Sequence, residues 1–197
     1  MTLEQAVAFA IFAVVTSITP GPNNVMLTAT GANVGIRRGL PHVLGVSLGF
    51  ALMIFVVAAG AGTPLIDNPA AMRVLRYVGI LVLLWLAWKI ATAGRAGPAG
   101  RERPVGFIEA ALFQWVNPKA WLICAGAVSG FLREDGSGAT VQAGFFALIF
   151  IVAGMPCMLL WLGFGAAMQR ILRTERALRA FNLTMGGLLA ATALLLL

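Results

Sequence analysis

The stretch Thr19-Pro20-Gly21-Pro22-Asn23-Asn24 interrupts an otherwise apolar segment, and Val116-Asn117-Pro118-Lys119 interrupts another in the second half of the chain. Each proline lacks a backbone N–H and leaves the carbonyl four residues earlier without its helical partner, which lipid cannot replace. A pair of interruptions at corresponding places in two halves is typical of a transporter's binding site.

The composition is that of an integral membrane protein. Of 197 residues, 60% are hydrophobic and 11% are charged, and the mean hydropathy is +0.91, which excludes an ordinary soluble domain. Four stretches without formal charge are each long enough to cross about 30 Å of hydrocarbon as a helix. They are residues 5–36, 39–66, 136–169 and 180–197.

Two further spans are predicted. In the first, 70–93, the basic side chains lie near the ends and can reach the membrane–water interface. The second, 106–131, is apolar apart from Glu109 and Lys119. The apolar runs are continuous rather than alternating, which argues against transmembrane strands. We expect the first span to remain in the mature protein, because its leading residues are acidic and it is long for a signal peptide. The prediction is an all-α membrane protein of six transmembrane helices, roughly 5–31, 40–62, 70–93, 106–131, 140–167 and 179–197.

The Gly/Pro/Arg-rich stretch 94–104 has the composition of a linker and divides one transmembrane domain into repeat one, 1–93, and repeat two, 105–197. Since each half holds an odd number of spans, the second half enters the membrane from the opposite side. We therefore predict two inverted three-helix repeats, each with a proline-broken first helix.

Basic residues are distributed unequally between the two sides of this arrangement, and cytoplasmic loops are enriched in Lys and Arg. With the N-terminus outside, the outer connections hold only Arg73, Arg76 and Arg133. The inner connections hold Arg37, Arg38, Lys89, Arg95, Arg101, Arg103, Arg170, Arg173, Arg176 and Arg179. Both termini are thus predicted to face outward, away from the cytoplasm. Topology and anionic lipid headgroups explain the net charge of +7 better than a nucleic-acid partner does.

In the first break, Pro20 and Pro22 are expected to free the carbonyls of Thr16 and Ile18, and Gly21 permits unusual dihedrals. A second half-helix can begin with Pro22 at its first position. The break then offers a partly negative carbonyl end and a partly positive amide end.

In the second break, Asn117 is a good N-cap and Pro118 a good first helical residue, so the carbonyl of Gln114 is expected to be free. Helix N-termini attract carboxylates, and free carbonyls attract ammonium groups. This geometry matches a zwitterion such as a free amino acid. The predicted substrate-binding residues are Pro20, Gly21, Pro22, Asn23, Asn24, Gln114, Asn117, Pro118 and Lys119.

Lys119 is the basic residue deep within a span, where a charge costs about 2.5 to 3.5 kcal/mol or more. It could hold a substrate carboxylate, change protonation during proton-coupled transport, or extend between helices to place its charge at the membrane–water interface. Glu109 is a second proton-coupling candidate, although an interfacial carboxylate paired with a loop arginine is favoured. Asn23 and Asn24 could contact substrate or cap the broken helix, and capping is slightly favoured for Asn23.

Several other residues have structural interpretations. His42 is expected to lie near the inner interface, and Pro156 is expected to kink the fifth span. Gly45 and Gly49 form a GxxxG face, for which packing inside the bundle is favoured over dimerisation. The sequence leaves open whether the chain assembles into a homo-oligomer.

The chain resembles the lysine exporter (LysE/RhtB) family of small bacterial amino-acid efflux proteins over essentially its full length. The resemblance depends on Thr19 to Asn23, Gly35 to Gly39 with Gly45 and Gly49, and Asn117 to Lys119. Three further stretches look like the cysteine and O-acetylserine exporter branch, namely 44–50, 87–92 and 113–117.

The resemblance implies export of amino acids from the cytoplasm across a bacterial inner membrane, in exchange for protons and without ATP hydrolysis. No cofactor and no enzymatic activity are expected. The absence of a GxxxxGK[ST] run agrees with a mechanism that does not hydrolyse ATP. A neutral or small polar substrate is expected, such as cysteine, O-acetylserine, threonine or homoserine, because Glu109 is poorly placed to hold a side-chain cation.

Three rival functions remain at this point. A heavy-metal cation exporter could use soft ligands, but Cys124, Cys157, Met155 and Met158 show no chelating spacing. A membrane-embedded enzyme needs clustered His, Cys or carboxylates, which the spans lack. Composition does not separate a carrier from a passive channel or a structural subunit.

Overall fold

A computed structural model describes residues 1–93, 105–133 and 138–194, and within these ranges every regular element is helical. The proposed linker at 94–104 lies outside the described residues. The helices are α1 (Leu3–Ile18), α2 (Pro22–Val56), a π-helical turn (Val57–Ala61), α3 (Thr63–Ile66), α4 (Pro69–Ala91), α5 (Phe107–Val116), α6 (Pro118–Phe131), α7 (Ala139–Met168) and α8 (Glu175–Leu194).

Helix α1 begins in a capping box, where Thr2 accepts from the Gln5 N–H and the Gln5 side chain accepts from the Thr2 N–H. It ends at Ile18, just before Pro20, and α2 begins with Pro22 at its first position. The first predicted break is confirmed as a helix interruption.

Helix α2 is two helices joined by a sharp turn at Gly35, whose φ of 78° and ψ of 178° are not helical. A 35-residue helix would span more than 50 Å, well beyond the thickness of the hydrocarbon core. We call residues 22–34 α2a and residues 36–56 α2b. The reversal buries His42 completely, with Nδ1 2.9 Å from Thr30 Oγ1, so His42 lies inside the bundle and has a polar partner that the sequence did not reveal.

Helix α4 is capped by Asn68, whose side chain accepts from the N–H groups of Ala70 and Ala71.

Asn117 separates α5 from α6, with Pro118 at the first position of α6. The second predicted break is therefore also confirmed as an interruption. Helix α7 continues through Pro156 as one element.

Glycines let the helices pack at very short range. A Cβ on Gly31 of α2a would meet Leu162 O of α7, and one on Gly165 would meet Thr28 O. A Cβ on Gly45 or Gly49 of α2b would meet α5 at Phe107, Ala110 or Ala111. Packing inside the bundle, predicted for the GxxxG face, is confirmed.

Within the described residues, four stretches are long and apolar enough to cross a membrane: Pro22–Ala61, Pro69–Ala91, Ala139–Met168 and Glu175–Leu194. Leu3–Ile18 and Phe107–Val116 are shorter apolar helices. The difference from the six predicted spans arises because the breaks divide the first and fourth spans into shorter helices, while Pro22–Ala61 contains the Gly35 reversal. Large apolar side chains face outward along these helices, including Leu81, Leu112 and Val152, as expected for a surface in contact with lipid.

Candidate functional site

The first break is held together by Asn24. After α1 ends at Ile18, Gly21 is fully extended and α2a begins at Pro22. The buried Asn24 donates from Nδ2 to the carbonyls of Ser17, at 3.0 Å, and Thr19, at 2.9 Å. Asn24, rather than Asn23, therefore satisfies carbonyls at the end of α1, which corrects the capping role favoured for Asn23.

The second break is shorter and tighter. Asn117 caps α6 by accepting from the Lys119 N–H at 3.2 Å, as its position before Pro118 predicted. The Gln114 carbonyl accepts from the Asn117 N–H at 3.3 Å. This three-residue turn corrects the expectation that Pro118 leaves that carbonyl free.

The two breaks meet across the bundle. Lys119 Nζ donates to Thr19 O at 2.8 Å and lies 3.5 Å from Pro20 O. Asn23 Nδ2 donates to Gln114 Oε1 at 2.9 Å, and Gln114 Nε2 donates back to Asn23 Oδ1 at 3.3 Å. These contacts join residues about a hundred positions apart in the sequence, so the interruptions form one polar region.

Gly21 leaves the space that Lys119 occupies. A Cβ on Gly21 would lie 2.9 Å from both Cδ and Nζ of Lys119. Gly21 has φ −178° and ψ −178°, a conformation open to any residue. Glycine is therefore needed here because the Lys119 side chain approaches closely. The expectation that Gly21 uses dihedrals closed to other residues is wrong.

A small cavity of about 30 Å³ lies between the breaks. Because one water needs about 10–15 Å³ of such space, the cavity is large enough for water but too small for an amino acid. Its lining combines polar residues of both breaks with apolar residues of α2b, α6 and α7. The lining residues are Thr16, Ser17, Gly21, Asn23, Asn24, Phe50, Asn117, Lys119, Ala120, Ile123, Phe150 and Met158.

The electrostatics of this region favour an anion. Helices α2a and α6 both begin at the breaks, with Pro22 and Pro118 at their first positions, and helix N-termini carry partial positive charge. Lys119 adds a cation whose partners among the described residues are the carbonyls of Thr19 and Pro20 rather than a carboxylate.

Glu109 lies elsewhere. It is exposed in the first turn of α5, where Oε2 accepts from the Gly106 N–H at 3.0 Å. This is a capping contact; the linker arginines nearest in sequence, with which Glu109 was predicted to pair, lie outside the described residues. Cys124 and Cys157 are buried and free, and the described residues contain no group of three or more His, Cys, Asp or Glu able to hold a metal ion.

Sequence reasoning missed part of the cavity wall. Ser17 lies within one turn of Pro20, so its closeness to the break was available from the sequence. Phe50 and Phe150, whose ring centroids are 4.1 Å apart, could not be found in this way because their meeting depends on the packing of α2b against α7.

Comparison with known proteins agrees with the resemblance seen in the motifs. Residues 14–197 match the family model described as LysE type translocator. The cysteine/O-acetylserine efflux protein of Salmonella typhimurium (strain LT2) is 33% identical over 175 residues, which cover 88% of each chain. That of Escherichia coli (strain K12) is 29% identical over the same shares. No solved structure matches the chain. The chain belongs to the LysE type translocator family.

Proposed function

We propose that this protein exports small, neutral or polar amino acids or their derivatives from the cytoplasm by proton antiport. Membership of a translocator family supports transport. Relatives named as cysteine/O-acetylserine efflux proteins support a small polar amino-acid cargo.

One observation supports an amino acid as the substrate. The Lys119 ammonium lies between the two breaks, is held by carbonyl oxygens, and has no carboxylate partner among the described residues. A substrate carboxylate at this position would supply the missing negative charge, with help from the N-termini of α2a and α6. The Thr19 and Pro20 carbonyls that Lys119 then releases are suitable acceptors for the substrate ammonium group.

Packing relationships support two inverted repeats. If α1 and α2a correspond to α5 and α6, then α2b corresponds to α7 and α4 to α8. Gly49 of α2b packs on Ala111 of α5, and Gly154 of α7 packs beside Ser17 of α1. Each repeat thus places its second span on the first half-helix of the other repeat, a reciprocal packing that two repeats related by a pseudo-two-fold axis would produce.

We propose that both termini face outward from the inner membrane. Near the turn at Gly35, Gln169 lies at the end of α7, and Asn33 and Asn182 hydrogen-bond at 2.9 Å. Asn182 also donates to Ala93 O, beyond the end of α4. The connections rich in arginine, after residues 35 and 169, therefore gather at one end, which the distribution of basic residues assigns to the cytoplasm.

Transport requires the site to open. The cavity of about 30 Å³ is too small for an amino acid, so the breaks must separate for substrate to enter. A second cavity of about 210 Å³ at the arginine-rich end is lined in part by Thr30, Asn33 and Lys89. We assign it as the cytoplasmic vestibule through which substrate approaches.

For proton coupling we propose Lys119, because a residue that binds substrate and proton at one place couples the two fluxes directly. Protonated Lys119 would bind the carboxylate on the cytoplasmic side. Before the loaded site opens outward, Lys119 would give this proton to the cytoplasm. After substrate release outside, Lys119 would take a proton from the outer medium and carry it inward on the return step, so that each cycle moves one substrate out and one proton in. Glu109 is the second candidate, but its capping contact at an exposed helix start gives it no route to the substrate.

The test is counterflow in proteoliposomes, with unlabelled cysteine, O-acetylserine, threonine, homoserine, leucine or lysine inside and labelled amino acid outside, with and without a pH gradient. We expect exchange of small polar amino acids that the gradient alters. A passive channel would show no stimulation by internal substrate, and silence across the panel from folded protein would contradict the proposal.

The site assignment has its own controls. Pro22→Ala and Asn117→Ala are expected to slow exchange, whereas Gly163→Ala, on an open face of α7, is expected to leave it unchanged. Native exchange rates in folded Pro22→Ala and Asn117→Ala variants would contradict a site between the breaks.

A further inference from the structure

The last turn of α1 contains a buried hydroxyl group without a hydrogen-bond partner. Ser17 is 7% exposed, and its Oγ has no partner among the described residues. Its neighbours differ, since Thr16 donates to Phe12 O at 2.7 Å and Thr19 donates to Val15 O. A serine in a helix commonly makes this backward bond, so its absence at Ser17 requires an explanation.

Ser17 faces the part of α7 that lines the cavity between the breaks. A Cβ on Gly154 would lie 2.9 Å from Ser17 Oγ. Phe150 and Met158, one turn before and one turn after Gly154, both line that cavity, as Ser17 does. Gly154 therefore provides the room for this hydroxyl group at an otherwise apolar wall.

The other polar side chains of the cavity are already engaged. Asn24 donates to two carbonyls, and Asn23 pairs with Gln114. Asn117 accepts from the Lys119 N–H, and Lys119 Nζ donates to Thr19 O. Among the lining side chains that the structure describes, Ser17 carries the polar atom that is both fully buried and without a hydrogen-bond partner.

We propose that Ser17 Oγ hydrogen-bonds the side chain of the substrate and selects short side chains that carry a hydroxyl, thiol or acyl carbonyl group. This inference rests on the proposed function, in which Lys119 holds the carboxylate. An aliphatic substrate of equal size would leave the Ser17 hydroxyl buried and unpaired, and such a mismatch is what lets a polar site reject an apolar analogue.

The test compares cysteine with 2-aminobutyrate, which has a methyl group in place of the thiol. The wild-type protein is expected to exchange cysteine faster in counterflow, and Ser17→Ala is expected to reduce that preference by about tenfold. Ser47→Ala is the matched control. Ser47 is also buried with an unpartnered Oγ, but it lies outside the lining of this cavity, so its replacement should leave the preference unchanged.

The outcomes separate this inference from the proposed function. An unchanged preference in Ser17→Ala, with exchange still dependent on Lys119, would overturn the role of Ser17 alone. Absence of exchange in the wild type would overturn both. Ser17→Cys keeps a weaker hydrogen-bonding group and should give an intermediate preference. If Ser17→Ala does not fold, Ser17→Cys and Ser17→Gly take its place. An intermediate preference in Ser17→Cys together with loss of the preference in Ser17→Gly, which lacks a hydrogen-bonding group, supports the hydrogen bond, and equal preferences in the two variants overturn it.

Discussion

Thr30 and His42 hydrogen-bond at 2.9 Å, although they are twelve residues apart in what is nominally one helix. In a continuous α-helix their positions would be separated by about 18 Å along the axis. The contact is possible because the chain reverses at Gly35. Both side chains are buried, so the reversal is fixed by a polar pair inside the bundle.

Gly35→Ala is expected to destabilise the protein by about 1–3 kcal/mol, because φ 78° with ψ 178° is open almost only to glycine. The nearest atom to the added Cβ would be Gln169 Oε1, at an ordinary 3.5 Å, so the effect isolates backbone strain. Thermal unfolding in detergent measures it. Gly144→Ala, within α7 and with open space around its Cβ, is the control and should not lower the Tm, because alanine is the better helix former.

Gly165→Ala is expected to destabilise the protein at the upper end of about 1–3 kcal/mol, because the added Cβ would collide with the backbone of α2a at Thr28. Backbone cannot move aside as a flexible side chain can. Gly163→Ala, two residues away with open space around its Cβ, should be tolerated. Equal Tm values for the two variants would contradict the close packing of α2a and α7.

Gly21→Ala is expected to slow exchange by about tenfold, equivalent to about 1.4 kcal/mol, with little change in Tm. The added methyl group would displace the flexible Lys119 side chain without straining the backbone, since Gly21 is extended. Counterflow and thermal unfolding on the same preparation check the two halves of the prediction. Gly106→Ala, with open space around its Cβ, is the control for exchange.

The sequence predicts the positions of the helix breaks because proline and asparagine act locally. Pro22 and Pro118 fall at the first position of their helices, and Asn117 caps α6, as capping preferences require. The sequence does not predict which side chains hydrogen-bond to the backbone groups at the breaks. Asn24 satisfies the carbonyls at the end of α1, whereas Asn23 pairs with Gln114 across the bundle.

Burial is harder to predict than helix position. His42 follows Arg37 and Arg38 closely and therefore looks interfacial, yet the reversal at Gly35 turns it inward against Thr30. Only its closeness to Pro20 identifies Ser17 in the sequence as a residue that could line the cavity. Its significance depends on Gly154, which lies 137 positions away in another helix.

The central claim is that Lys119 binds the substrate carboxylate. The most direct test measures the affinity of purified protein for an exported amino acid and for its carboxamide, in the wild type, Lys119→Gln and Lys119→Arg. Arg133→Gln, a change at an exposed basic residue that lines neither the cavity between the breaks nor the vestibule, is the matched control.

We predict that wild-type protein and Arg133→Gln bind the acid more tightly than the amide. Lys119→Gln should lose at least tenfold in affinity for the acid, about 1.4 kcal/mol, and should no longer distinguish acid from amide. Lys119→Arg should retain part of the preference, since it keeps the charge. An unchanged preference in folded Lys119→Gln would contradict the claim.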